Sequence, residues 1–148
     1  MSKVIAKHRG NFLILAGCLF AAIGVALGAI GAHLLEKWLA ETFEDAVRRE
    51  ELWETGVRYQ MYCAFGLLAI GIGRQRLGKS SVFAASLLIL GIFLFSGCLY
   101  AYVITSVKPL VHIVPLGGLS MIAGWVTFGF SALAGRRSSD ELGSELEG

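Results

Sequence analysis

Long apolar runs broken by short polar segments organise this chain. Residues 11–35, 59–73, 80–107 and 109–135 carry no Asp, Glu, Lys or Arg. A helix needs about 20 apolar residues to cross the hydrocarbon of a bilayer, and the first, third and fourth runs exceed that. The second has only 15 residues, about 22 Å at 1.5 Å per residue. Its helix must therefore begin upstream, near Glu54 or Thr55, which draws Arg58 just inside the boundary with its long stem reaching back to the headgroups. The pattern predicts spans at about 11–34, 55–73, 82–104 and 115–135, within one membrane unit over 1–137. The remaining 138–148 holds Ser, Gly and four acids with little to bury, and is expected to be disordered.

The first run follows Lys3, Lys7 and Arg9, as a signal peptide's apolar core would, but it is longer than about 15 residues and lacks an A-x-A site. An uncleaved span is the better reading. Lys and Arg then set the orientation. Lys3, Lys7, Arg9, Arg74, Arg76, Lys79, Arg136 and Arg137 fall on one side, so both termini are expected in the cytoplasm. The opposite side carries the segment 36–58, with seven acids against four basic residues.

That segment reads as a helix. Trp38, Leu39, Phe43, Ala46, Val47, Leu52 and Trp53 recur at three- and four-residue steps, and Glu44–Arg48, Asp45–Arg49 and Glu54–Arg58 are i,i+4 pairs of the favourable polarity. Trp38 and Trp53 suit a membrane–water interface, so the prediction is an amphipathic interfacial helix leading into the second span. A solvated acidic loop is the plainer alternative. The fold class is all-α: a four-helix transmembrane bundle with that surface helix between its first two spans.

Composition agrees. Hydrophobic residues make up 55% and charged ones 16%, against roughly 25% charged in a soluble domain. The net charge of +2 is too small, and too dispersed, to indicate nucleic acid. Part of the 19 glycines forms seams. Gly17, Ala21, Gly24, Gly28 and Gly31 share one face of the first helix; Gly117, Ser120, Gly124, Thr127, Ser131 and Ala134 share one face of the fourth. Small faces let helix backbones approach where lipid supplies no hydrophobic force, and their 3.5-residue period favours left-handed crossing. Glycine and alanine are common in membrane helices anyway, but two complete seams make packing the better reading.

The polar residues gather at one membrane level: His33, Arg58, Tyr59, Gln60, Ser96, Tyr100 and His112, with Tyr102 nearby and His112 in the loop before Pro115 opens the fourth helix. The bland reading is hydrogen bonding between helices and anchoring at the interface, each bond contributing about 0.6 kcal/mol. The sharper one is a polar pocket around His33, Arg58 and Gln60 for a small molecule, a lipid headgroup or a proton. A metal needs three or four ligands; His33, His112 and Glu36 fall short, and His8 lies on the other side. Cys18, Cys63 and Cys98 lack disulfide or zinc spacing and read as small apolar residues. Trp125 reads as packing. No nucleophile–base set, phosphate loop or carboxylate within a span is visible, so neither a catalytic nor a cofactor-binding set is predicted.

Four segments in order resemble one family: Gly28-Ala29-Ile30-Gly31-Ala32-His33; Trp53-Glu54-Thr55-Gly56 with Tyr59-Gln60; Leu94-Phe95-Ser96-Gly97-Cys98-Leu99-Tyr100; and Pro115-Leu116-Gly117-Gly118 with Gly124-Trp125. They resemble domain-of-unknown-function family 423, the YgdD-type small integral membrane proteins, over about 11–135. The resemblance implies a four-helix protein of the bacterial inner membrane and no assigned activity. It also implies a histidine where this chain has Cys63, which weakens any shared role for a pair with His33. The leading expectation is a non-enzymatic accessory or scaffold protein, held in the lipid bilayer and meeting a membrane-protein partner or a second copy. A small transporter or channel using the polar cluster is the alternative, and an enzyme acting on lipid or quinone ranks last.

Overall fold

The computed structural model describes residues 10–135 apart from 75, 78 and 79, with the terminal helix bounds drawn to Ser2 and Glu147. The basic residues Lys3, Lys7, Arg9, Lys79, Arg136 and Arg137, together with His8 and the 138–148 tail, lie outside the described residues.

Every element is helical among the described residues. Helix α1 (Ser2–Ile30) passes through a π-helical turn at Gly31–Leu35 into α2 (Glu36–Thr42). A break at 43–45 reverses the chain into α3 (Ala46–Gly73). Helix α4 (Ser80–Gly91) continues through a second π segment, Ile92–Gly97, into α5 (Cys98–Thr105), and α6 (Pro109–Glu147) returns. Ser106 closes α5 in the left-handed region at φ 60°, its N–H donating to the Tyr102 carbonyl at 2.9 Å. This is the ordinary way a helix stops. Pro109 then opens α6, since proline at a first helical position loses no internal hydrogen bond.

Two predicted boundaries are corrected. No separate surface helix stands between the first two spans: 36–42 extends the first helix and 46–58 extends the next. The apolar residues of that segment are taken up by packing. Leu39 and Trp53 are buried with Leu35 and Val103, and Phe43, Ala46, Leu52 and Val57 pack around them. A bilayer surface competes poorly with so close a partner. Helix α6 also starts six residues before Pro115, which lies inside it, so His112 sits in the first turns of α6 rather than in a loop.

Three stretches are long and apolar enough to cross a membrane: Gly10–Thr42, Ser80–Thr105 and Pro109–Gly135. Helix α3 is not among them because Arg58, Tyr59 and Gln60 dilute its apolar part, yet it occupies the centre of the structure. Leu67 and Ile70 of α3 are fully buried with Leu88 of α4. Helix α1 packs on α3, and α6 packs on α4 and the π segment after it. The outer faces of α1 and α6 present large apolar side chains, among them Leu19, Val25, Leu119 and Phe130.

The first contact is a glycine seam. A Cβ on Gly17 would stand 2.9 Å from the Ala64 carbonyl and 2.8 Å from Leu68; on Gly24, 2.8 Å from the Met61 sulfur; on Gly31, 2.8 Å from the Trp53 ring. These positions recur every seven residues, the period that keeps one face turned to a left-handed partner. On α6, Gly117 lies against the backbone of Leu94 and Phe95, Gly124 against Leu88, and the Ser120 hydroxyl donates to the Leu87 carbonyl at 2.8 Å.

Candidate functional site

The seven polar residues do not converge on one pocket. Gln60, on the inner face of α3, is 3% exposed. Its amide nitrogen donates to the Phe20 carbonyl of α1 at 2.8 Å, and its oxygen accepts from the Tyr100 hydroxyl of α5 at 3.1 Å. One side chain thus joins three helices in sequence. Tyr100 stacks on Trp53 at 4.7 Å between ring centres and lies on Gly56, where any side chain would strike its ring. Ser96 is fully buried in the second π segment, its hydroxyl without a hydrogen-bond partner among the described residues. Tyr59 faces another way, tilted on Phe95 at 4.8 Å and edge-on to Tyr62 at 5.7 Å. His33, Arg58 and His112 are exposed.

Replacing Gln60 by leucine removes both bonds while keeping bulk. The expected loss is on the order of 0.6–1.7 kcal/mol, the range for hydrogen bonds between membrane helices. Thermal unfolding in mild detergent reads it, with Tyr100→Phe losing part of the same amount.

Two anchors escaped the sequence reading. Trp53, expected at an interface, is only 4% exposed, and its indole N–H donates to the Leu27 carbonyl of α1 at 2.8 Å. Arg49, expected as half of an exposed ion pair, is 6% exposed. Its Nε donates to Asp45 at 2.6 Å, one terminal nitrogen to the Val103 carbonyl at 2.9 Å, and the other to the Ser106 hydroxyl at 3.0 Å. The guanidinium also stacks on Phe43, 3.7 Å from the ring centre. The Asp45–Arg49 pair was visible as i,i+4 spacing. The carbonyl at the end of α5 could not be, because it lies 54 positions away. Of the other two expected pairs, neither Glu44–Arg48 nor Glu54–Arg58 closes among the described residues.

Arg49's hydrogen bond to Asp45 holds that carboxyl below its ordinary value of 3.8. A lowered native pKa contributes stability above the unfolded value, and the contribution disappears as pH falls through the native one. The difference in melting temperature between the wild-type chain and Asp45→Asn is therefore expected to be constant from pH 7 to 5 and to shrink below pH 3.8, measured by circular dichroism in an uncharged detergent.

Clefts among the described residues include two beside the polar side chains. One, of about 460 Å³, lies between α3 and α6 and is walled by Tyr59, Tyr62, Cys63, Phe95 and Trp125. Trp125, expected to be packed, is half-exposed there, its ring against Gly66. The other, of about 290 Å³, lies between α1 and α3 at the end where they turn, over Gly28, Gly31 and Ala32 and beside Glu50, Glu54 and Arg58.

Long helices with apolar outer faces, small residues at their contacts and polar side chains bridged from helix to helix define a helical membrane protein. The chain belongs to the family described as protein of unknown function DUF423, which matches residues 27–118. It is 40% identical to the UPF0382 membrane protein YwdK of Bacillus subtilis over 117 residues, 78% of this chain and 89% of that one. It is 39% identical to a UPF0382 membrane protein of Staphylococcus haemolyticus over 116 residues, covering 78% and 90%. With the UPF0382 inner membrane protein YgdD of Escherichia coli K12 it shares 34% over 121 residues, covering 78% and 84%. No solved structure matches it.

Proposed function

We propose that the chain is a four-span protein of the bacterial inner membrane, both termini cytoplasmic, that works by assembling with other membrane components rather than by turning over or conducting a substrate. The observation that carries this reading is the use made of Gln60 and Tyr100. The polar groups best placed to line a path between the helices are engaged in holding three helices together. His33, Arg58 and His112 lie at the surface instead. Central packing supports α3 as the second span: Gln60, Leu67 and Ile70 are covered by the other helices, and the long stem of Arg58 can carry its charge back to the headgroups. The apolar outer faces of α1 and α6 are the natural contact surfaces.

Photo-crosslinking side chains at Leu19 on α1 and Phe130 on α6, used in intact cells, test the proposal. A discrete protein adduct at either position is expected, with a second copy of the chain as one identity. Adducts to lipid alone at both positions, combined with solute flux in proteoliposomes that Gln60→Ala abolishes, would overturn it in favour of a transporter.

A further inference from the structure

We infer that the cleft between α1 and α3 at their turning end is a headgroup site for a zwitterionic phospholipid bearing a primary ammonium group. The inference goes beyond the assembly reading and rests only on its claim that this end lies at a bilayer boundary. Glu50, Glu54 and Arg58 follow one another at four-residue steps along α3 and line the same cleft. Each step advances about 6 Å along the helix. Arg58 is the deepest of the three, one turn nearer the apolar part of α3 than Glu54 and two turns nearer than Glu50.

Opposite charges at this spacing and polarity ordinarily pair, yet among the described residues Glu54 and Arg58 form no ion pair, and Glu50 has none either. Their charges are free for something else, and the cleft they line has room for it. Its floor is small: Gly28 and Gly31, with Ala32 in the π-helical turn. A Cβ on Gly28 would meet only Val57, at 3.6 Å.

The order of charges selects the ligand. In a phospholipid the phosphate lies closer to the hydrocarbon than the outermost headgroup atom. Arg58 is placed to take the phosphate, since a guanidinium binds phosphate oxygens through paired N–H donors. Beyond it, Glu54 and Glu50 present carboxylates that accept hydrogen bonds from an ammonium group. A two-carbon arm between phosphate and amine is commensurate with one turn of helix. A choline headgroup has no N–H to donate. A glycerol headgroup offers neutral hydroxyls but no positive charge, so nothing in it offsets the repulsion between its phosphate and the two carboxylates. The acyl chains would follow the apolar flank of α1 below Gly28.

Native mass spectrometry of the full chain tests this. Delipidated protein in mild detergent is titrated with phosphatidylethanolamine, phosphatidylcholine and phosphatidylglycerol of identical acyl chains. Wild-type protein is expected to bind the ethanolamine lipid at least about fivefold more tightly than the other two, the scale of one charge-assisted hydrogen bond. Glu50→Gln with Glu54→Gln should bring ethanolamine down to the choline level. Arg58→Gln should weaken both zwitterionic lipids, and Arg58→Lys should restore part of the loss. Ala32→Phe should fill the cleft and lower binding of the ethanolamine lipid without touching a charge.

These charged side chains have no ion-pair partner among the described residues, so their variants are expected to melt with the wild type. Equal binding of the three lipids by wild-type protein, or an ethanolamine preference that survives the double Glu→Gln change, would overturn the inference and leave the membrane reading intact. Failure of that reading looks different: a chain that stays folded and monomeric in detergent-free buffer, with no phospholipid bound.

Discussion

Replacing Arg49 by methionine is expected to lower the unfolding free energy by about 2–3 kcal/mol, the scale of a hydrogen-bonded charged group removed with its partners left behind. Beyond the Tyr102 oxygen, which accepts from Ser106, the last carbonyls of α5 have no acceptor role within their own helix and carry the negative end of its dipole. Arg49 reaches them from α3, at 2.9 Å from the Val103 oxygen, while its other nitrogens hold Asp45 and Ser106. Methionine keeps the apolar stem and removes all three bonds together with the guanidinium's stacking on Phe43. Arg49→Lys should recover only a fraction, because an ammonium cannot span three acceptors with a planar fork. Arg48→Met, one position away on the exposed face, is the control and should change little. Melting by circular dichroism in mild detergent gives the comparison. Identical curves for Arg49→Met and Arg48→Met would remove the guanidinium from the account of how the start of α3 is joined to the end of α5.

Valine at Gly117 should cost a similar amount, about 1–3 kcal/mol, by a different route. A Cβ there would collide with the backbone nitrogen of Phe95 and stand 2.7 Å from the Leu94 carbonyl carbon and 2.9 Å from the Phe95 Cα. Backbone cannot turn aside as a flexible side chain can, so α6 must move away from the Ile92–Gly97 π segment. That separation would also strain the bond from Ser120 to the Leu87 carbonyl. Gly129, whose Cβ would meet nothing within 4 Å, gives the matched control. Gly117→Val should lower the melting temperature strongly and Gly129→Val only slightly. Equal shifts would mean that helix propensity, rather than close approach, governs both.

The seams and the apolar runs were legible because each depends on a local period. Glycines seven apart occupy one face of a helix in any fold, and Gly17, Gly24 and Gly31 meet α3 along that face. The polar cluster was legible only as residue types at one depth. Depth does not fix direction around a helix axis: Gln60 points inward, while its neighbours Arg58 and Tyr59 lie on exposed faces. The two π segments left no sequence signal that periodicity could detect, since one extra residue in a turn shifts a face without changing composition. The acidic segment misled for a related reason. Amphipathic spacing records that one face seeks an apolar partner, but not whether the partner is lipid or helix, and Trp53 found the Leu27 turn of α1.

The sequence by itself determined that the chain is helical, that its long apolar runs belong in a membrane, and which helix faces can approach closely; these follow from composition and from side chains repeating every three to four residues. Tertiary structure alone decided that Arg49 closes the end of α5, that Trp53 is a buried anchor, and that Gln60 and Tyr100 bind helices to one another. Those contacts join residues 26–54 positions apart, and no local pattern encodes which distant backbone carbonyl a side chain will meet.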